Sequence, residues 1–173
     1  MKRAVLLVLA LALLVAGAVS AQTTTASDEG SDVLRFDTMT GVVAPFTGAT
    51  NPVRGVPGGG LPWELDRASG RLRADGRLDI KVRGLVLARR APVPPALQGT
   101  NPVPQFRAIV SCLTPSADGT TVETVNRMTA PVDATVPGGD ARIRAMVDLP
   151  EPCIAPIVFV ASAGGAWFAA TGI

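Results

Sequence analysis

Phe106-Arg-Ala-Ile-Val-Ser-Cys112, Val122-Glu-Thr-Val-Asn-Arg-Met128 and Ala141-Arg-Ile-Arg-Ala-Met-Val147 lie in one stretch that runs on to Pro150-Glu-Pro-Cys153. The first run alternates, the second is rich in β-branched residues, and the third places Ile143, Ala145 and Val147 on one face. Three strand-like runs with turns between them, and both cysteines of the chain inside the same stretch, predict a small β domain.

Upstream, Arg71-Leu-Arg73 and Arg77-Leu-Asp-Ile-Lys-Val-Arg83 flank Ala74-Asp75-Gly76. Asp-Gly supplies the positive φ that a tight turn needs, so this segment predicts a hairpin with Leu72, Leu78, Ile80 and Val82 inward. Asp79, Lys81 and Arg83 then face water. Further strands are expected at 33–36, 41–44, 61–66, 85–87, 131–136, 157–160 and 166–170, and no amphipathic helix is expected after the N-terminal segment. In the 61–66 run, Trp63 and Leu65 share one face, and Glu64 and Asp66 the other. Seven to nine short strands with a turn about every ten residues predict an all-β fold, an antiparallel β-sandwich of immunoglobulin-like architecture, with a small β-barrel as the alternative. The Cys, Trp, Cys order of antibody domains is absent, because Trp63 precedes both cysteines and Trp167 follows them.

Met1-Lys2-Arg3, the apolar run from Ala4 to Val19 and the small residues Val19-Ser20-Ala21 read as a secretory signal peptide cleaved after Ala21. No cysteine for a lipid anchor and no second apolar span follows, so release from the membrane without stable insertion is expected. Residues 22–32 are polar and read as a flexible tether, which leaves 33–173 as a single domain. In an exported chain, two cysteines permit one intramolecular bridge. Cys112 to Cys153 closes a loop of about 40 residues, worth roughly 4 kcal/mol by loss of denatured-chain entropy.

Two of the 16 Lys and Arg residues, Lys2 and Arg3, leave with the signal peptide, so the remaining bases balance the 14 acids. A neutral mature chain lacks the footprint of a nucleic-acid binder. The chain contains no His and no Tyr. Ser-His-Asp and Cys-His catalysis and His-bearing zinc sites are thereby excluded. A Ser-Lys arrangement would need Lys81, which reads as a solubilising strand residue. Glu64 and Asp66, with Asp79 across from them, are the carboxylates a glycosidase would use, although the same alternation keeps the outer face of any sheet wet. Asp118-Gly119, Gly138-Gly-Asp140 and the Asp28, Glu29, Asp32 cluster offer oxygens for calcium, but none has the spacing of a loop site. No catalytic, cofactor-binding or metal-binding residue is therefore assigned.

Arg71, Arg73, Arg77 and Arg83 form a basic run that Asp75 and Asp79 interrupt, and it reads as a solvated face. Gly58-Gly-Gly60 lacks the ending of a phosphate loop. Trp63 and Trp167 sit in strand-like runs whose neighbours favour core packing. Trp63 leaves the Gly-rich segment and, with Glu64, is the expected ligand contact if either indole forms an exposed platform. The segments 45–62 and 89–104 are dense in Gly and Pro and are the loops where a ligand would bind.

Val56-Pro-Gly-Gly-Gly-Leu-Pro-Trp63, Gly76 to Leu87, Phe106 to Leu113 and Pro152-Cys-Ile-Ala-Pro156 together resemble a group of small exported bacterial β-domain proteins without assigned function. The resemblance covers most of the mature chain and implies a secreted single domain, with no reaction. A secreted, non-catalytic binding or surface-associated module is the expected function, with a cell-wall glycan or another envelope protein as partner. A structural subunit of the cell envelope joined through strand edges is the alternative, and a carbohydrate-active enzyme follows it.

Overall fold

The computed structural model describes residues 31–172. The expected signal peptide and residues 22–30 of the expected tether lie outside the described residues. Its strands are β1 (Asp32–Phe36), β2 (Thr40–Gly41), β3 (Trp63–Glu64), β4 (Arg67–Arg73), β5 (Arg77–Arg83), β6 (Val86–Leu87), β7 (Gln105–Pro115), β8 (Val122–Met128), β9 (Val132–Asp133), β10 (Ala141–Met146), β11 (Ile154–Ser162) and β12 (Trp167–Ala170). Among the described residues there is no α-helix, and a single 3-10 turn spans Pro95–Leu97. Asp32, placed by the sequence at the end of the tether, already opens β1 opposite Arg73.

The strands form a four-stranded sheet in the order β1-β4-β5-β10, a six-stranded sheet in the order β2-β12-β11-β7-β8 with β9 also on β7, and the small pair β3-β6. Every ladder is antiparallel. Among the described residues none of the sheets closes on itself, so the barrel alternative is corrected: β1 and β10 are the outermost strands of one large sheet, and β2 and β8 those of the other. Leu72, Ile80 and Ile143 from the four-stranded sheet and Phe106, Val110 and Val158 from the six-stranded sheet belong to one buried cluster. Burying apolar faces of both sheets against shared neighbours is the main driving force for the fold.

The β4–β5 hairpin follows the expected turn. Gly76 has φ +82°, and a Cβ there would collide with the Val147 carbonyl, so glycine serves both the turn and the approach of the segment after β10. Gly76 N–H donates to Arg73 O at 3.0 Å, and Val147 N–H donates to Gly76 O at 2.9 Å.

At the other hairpin, between β7 and β8, Ser116 Oγ donates to Asp118 Oδ1 at 2.6 Å and Thr120 Oγ1 donates to Asp118 Oδ2 at 2.9 Å. Thr120 N–H also donates to this carboxylate, and together these donors lower the Asp118 pKa to about 2. The Cys112–Cys153 disulfide links β7 to the corner before β11, the one pairing that two cysteines permit. Disulfides persist in oxidising compartments. No helix of the described residues is long and apolar enough to cross a membrane.

Several strands are shorter than their sequence patterns. The 131–136 run yields only Val132–Asp133, and the 61–66 run only Trp63–Glu64. Non-strand pairings hold the chain nearby: Thr135 N–H donates to Asp140 O, and Trp63 N–H donates to Val42 O.

Candidate functional site

The outer face of the four-stranded sheet gathers most of the chain's positive charge. Alternation along β4, β5 and β10 buries Leu72, Leu78, Ile80, Val82 and Ile143, and so turns the residues between them outward. Register then aligns the outward side chains in rows across the strands. Arg35 stands beside Arg71, Arg71 beside Asp79, and Asp79 beside Arg144. In the next row Ser69 stands beside Lys81, and Lys81 beside Arg142; Arg67 and Arg83 form a third.

With Arg73 and Arg77 at the hairpin end, nine of the chain's 16 Lys and Arg residues belong to this face. Neighbouring strands lie about 4.8 Å apart, and residues of one face about 7 Å apart along each strand, so the cations form a lattice.

Asp79 is the acid inside that lattice. Arg142 approaches it with both faces of its fork, Nε donating to Oδ1 at 3.2 Å and Nη2 to Oδ2 at 2.8 Å, while Arg144 Nε lies 3.4 Å from Oδ2. The Arg142 hydrogen bonds are the main reason the Asp79 pKa is lowered, opposed by partial burial and aided by the charges of Arg142 and Arg144. One carboxylate thus balances two guanidinium groups. Among the described residues, Arg67, Arg71, Lys81 and Arg83 enter no ion pair.

An open depression of about 580 Å³ lies on this face between Arg35, Arg71, Lys81 and Arg142. Phe36 and Gly70, which are cross-strand partners, form part of its lining. A Cβ on Gly70 would come 2.7 Å from Phe36 Cζ and 2.5 Å from Asp79 O, so only glycine leaves the ring its place. The result is a shallow basin with one apolar patch and a cationic rim.

The residues singled out in the sequence fall elsewhere. Trp63 is only 4% exposed, its ring stacked on Phe168 with centroids 3.9 Å apart and edge-on to Phe106 at 6.5 Å. It therefore offers no exposed platform. Trp167 is buried too, against Phe159. Glu64 is half-buried and accepts a 2.6 Å hydrogen bond from Arg89 Nη1. Glu64 lies in the β3-β6 pair and Asp79 in the four-stranded sheet, so the expected carboxylate set is divided between two sheets.

The two long loops are tied down. In 45–62, Gly48, Gly58 and Gly59 exchange main-chain hydrogen bonds, Gly59 N–H donates to Trp167 O, and Trp167 N–H donates to Pro57 O. Arg54 crosses the outer side of the six-stranded sheet, donating to Ser111 O and accepting from Asn126. In 89–104, Asn101 is fully buried and bonds Val103 and Thr135.

The oxygens considered for calcium are already used. Asp118 is held in its turn, Asp140 accepts from Gly84 N–H, and Asp32 pairs with Arg35, while Asp28 and Glu29 lie outside the described residues. Among the described residues no three His, Cys, Asp or Glu side chains converge as metal ligands.

The basic run in the sequence covers Arg71 to Arg83 of this face but not Arg67, nor Arg35, Arg142 and Arg144, whose cross-strand partners are Arg71, Lys81 and Asp79, about 36 to 65 residues away. The signal available was alternation: Ala141-Arg-Ile-Arg-Ala displays both arginines on the face opposite Ile143. No family model, no curated protein and no solved structure matches the chain.

Proposed function

We propose that this chain is a secreted, non-catalytic binding module of immunoglobulin-like β-sandwich architecture, and that its ligand is an anionic glycan of the cell surface held on the outer face of the four-stranded sheet. The carrying observation is the lattice of nine cations around Asp79, in which Arg67, Arg71, Lys81 and Arg83 enter no ion pair among the described residues, while Asp32 pairs with Arg35 and Asp75 with Arg73 and Arg77 at the margins. Exposed charge pairs are individually weak, about 0–1 kcal/mol each. A polymer bearing a carboxylate or sulfate on successive sugars engages many of them together, and binding to one charge raises the effective concentration of the next.

Two further observations favour charge recognition over sugar stacking. Both indoles are buried and the chain has no Tyr, so no Trp or Tyr platform for a neutral sugar ring stands on the described exterior, where Phe46 and the half-buried Phe36 are the aromatic rings. The basin is also open to solvent, which suits a polymer lying over it better than a small ligand, since small ligands favour enclosed pockets.

The test is binding of fluorescein-labelled dextran sulfate to the secreted protein, with neutral dextran of the same length beside it. Saturable binding of the sulfated polymer alone, weakening steeply between low and physiological salt, supports the reading. Equal binding of both polymers, or of neither at low salt, refutes it.

A further inference from the structure

β8 is the free edge of the six-stranded sheet, and its sequence is complementary to itself. Thr129 N–H donates to Ala108 O, and Ser116 N–H donates to Thr121 O, which places the odd-numbered residues of this strand in hydrogen-bonded positions against β7. Alternation in an antiparallel ladder then turns the main-chain groups of Val122, Thr124, Asn126 and Met128 away from β7. Among the described residues these groups have no main-chain partner. Six of the seven side chains are exposed, including Val122 at 67% and Met128 at 61%. An unpaired edge of this length is a template for another strand.

We infer that β8 pairs with β8 of a second copy, antiparallel about a two-fold axis through Val125, joining the six-stranded sheets of two molecules into one. That axis sets Glu123 against the second copy's Arg127, Val122 against its Met128, and Thr124 against its Asn126, each pairing occurring twice. The register also satisfies the main chain, because it matches outward-pointing residues with outward-pointing residues.

The neighbouring residue-centred registers also satisfy the main chain but lose the side-chain match. An axis through Thr124 or Asn126 keeps the hydrogen bonding but sets Glu123 against Val125 or Thr129. An axis through Glu123 or Arg127 sets like charges against each other.

In the Val125 register, Glu123 and Arg127 meet at non-hydrogen-bonded positions, where side chains approach most closely. Arg127 donates through Nε to Asp148 O at 3.1 Å and lies 4.0 Å from the Asp148 carboxylate at the same nitrogen, so its terminal nitrogens are the ones that a second carboxylate would meet. The Arg54 loop meets Asn126 from the outer side of the sheet and does not occupy the main-chain edge. The interface is distinct from the basic face, so either can fail without the other.

Sedimentation equilibrium of the secreted protein over rising concentration should show reversible conversion from one copy to two. Thr124→Pro removes an outward N–H without disturbing the β7 ladder and should hold the protein monomeric with an unchanged fold by circular dichroism. Glu123→Arg and Arg127→Glu should each abolish self-association alone, and an equimolar mixture of the two variants should restore a dimer. A wild type that stays monomeric into the millimolar range overturns the inference. So does a dimer that survives Thr124→Pro, or charge variants that fail to rescue each other when mixed.

Discussion

Trp63 lies flat against Phe168, with ring centroids 3.9 Å apart and planes inclined by 22°. The stack joins the small β3-β6 pair to the inner side of β12, and Phe106 of β7 closes it edge-on. Trp63→Ala should cost about 3–5 kcal/mol of stability, as large-to-small core changes do. Urea denaturation reads this directly. Trp63→Phe should lose much less and should bind dextran sulfate as the parent does, because the ring supports the fold and does not face the basin.

The bridge between Cys112 and Cys153, 41 residues apart, constrains the denatured chain across β8, β9 and β10. A Cys112→Ala, Cys153→Ala protein should be about 3–4 kcal/mol less stable. Its urea midpoint should match that of the reduced parent. Equal midpoints for oxidised and reduced protein would refute the assignment of stability to the bridge.

Gly76 combines φ +82° with contact against the Val147 carbonyl. Gly76→Ala should therefore destabilise by about 1–3 kcal/mol or more through the positive φ together with the clash against the Val147 carbonyl, without touching a core side chain. Thermal melting shows this as a lower midpoint with an unchanged spectrum of the folded state.

Asp79 holds Arg142 and Arg144 in place and also competes with any anion for them. Its carboxyl is held below the ordinary value mainly by the Arg142 hydrogen bonds. A folded-state pKa below the unfolded one means that the ionised group stabilises the fold above the unfolded value. That contribution disappears as pH falls through the folded value. Asp79→Asn should lower the melting point slightly at neutral pH and tighten dextran sulfate binding several-fold, since two guanidinium groups are released. For the parent, binding of a sulfate polymer, which stays charged in acid, should strengthen only at pH below the ordinary Asp range, because the Asp79 carboxyl stays ionised until pH falls through its lowered folded value.

Asp118 gives a second pH marker, far from the basin. Its pKa of about 2 follows from donors in its own turn, first the Ser116 hydroxyl and then the Thr120 amide and hydroxyl. The Thr120 amide resonance should titrate with a midpoint near that value, and the stabilisation of the turn should be present above the unfolded pKa and lost as pH falls through about 2. A midpoint at the ordinary Asp value would show that the turn is not held by this carboxylate.

The strand pattern of this chain was legible wherever two adjacent signals agreed. The 122–128 strand and the 77–83 half of the hairpin lie where β-branched content, alternation and Asp-Gly place them, and the two-cysteine arithmetic left a single pairing. What remained hidden depended on distant partners. Trp63 reads from its neighbours as core, yet it stays a candidate platform until Phe168, more than 100 residues later, is known to cover it. The loop 45–62 reads as free because its Gly and Pro content is visible, whereas its anchors Ser111, Asn126 and Trp167 belong to other strands. The basic face reads as a broken run in the 71–83 segment because the sheet order that adds Arg35 at one edge and Arg142 and Arg144 at the other is a tertiary property.

The proposed binding face is tested most directly by following every backbone amide of the oxidised protein by NMR while dextran sulfate is added at low salt. Shifts concentrated at Arg35, Ser69 to Arg71, Asp79 to Lys81 and Arg142 to Arg144, reversed by added salt, are the predicted result. Shifts confined to the 45–62 or 89–104 loops, or an unchanged spectrum at saturating polymer, would contradict the assignment of the ligand to the outer face of the four-stranded sheet.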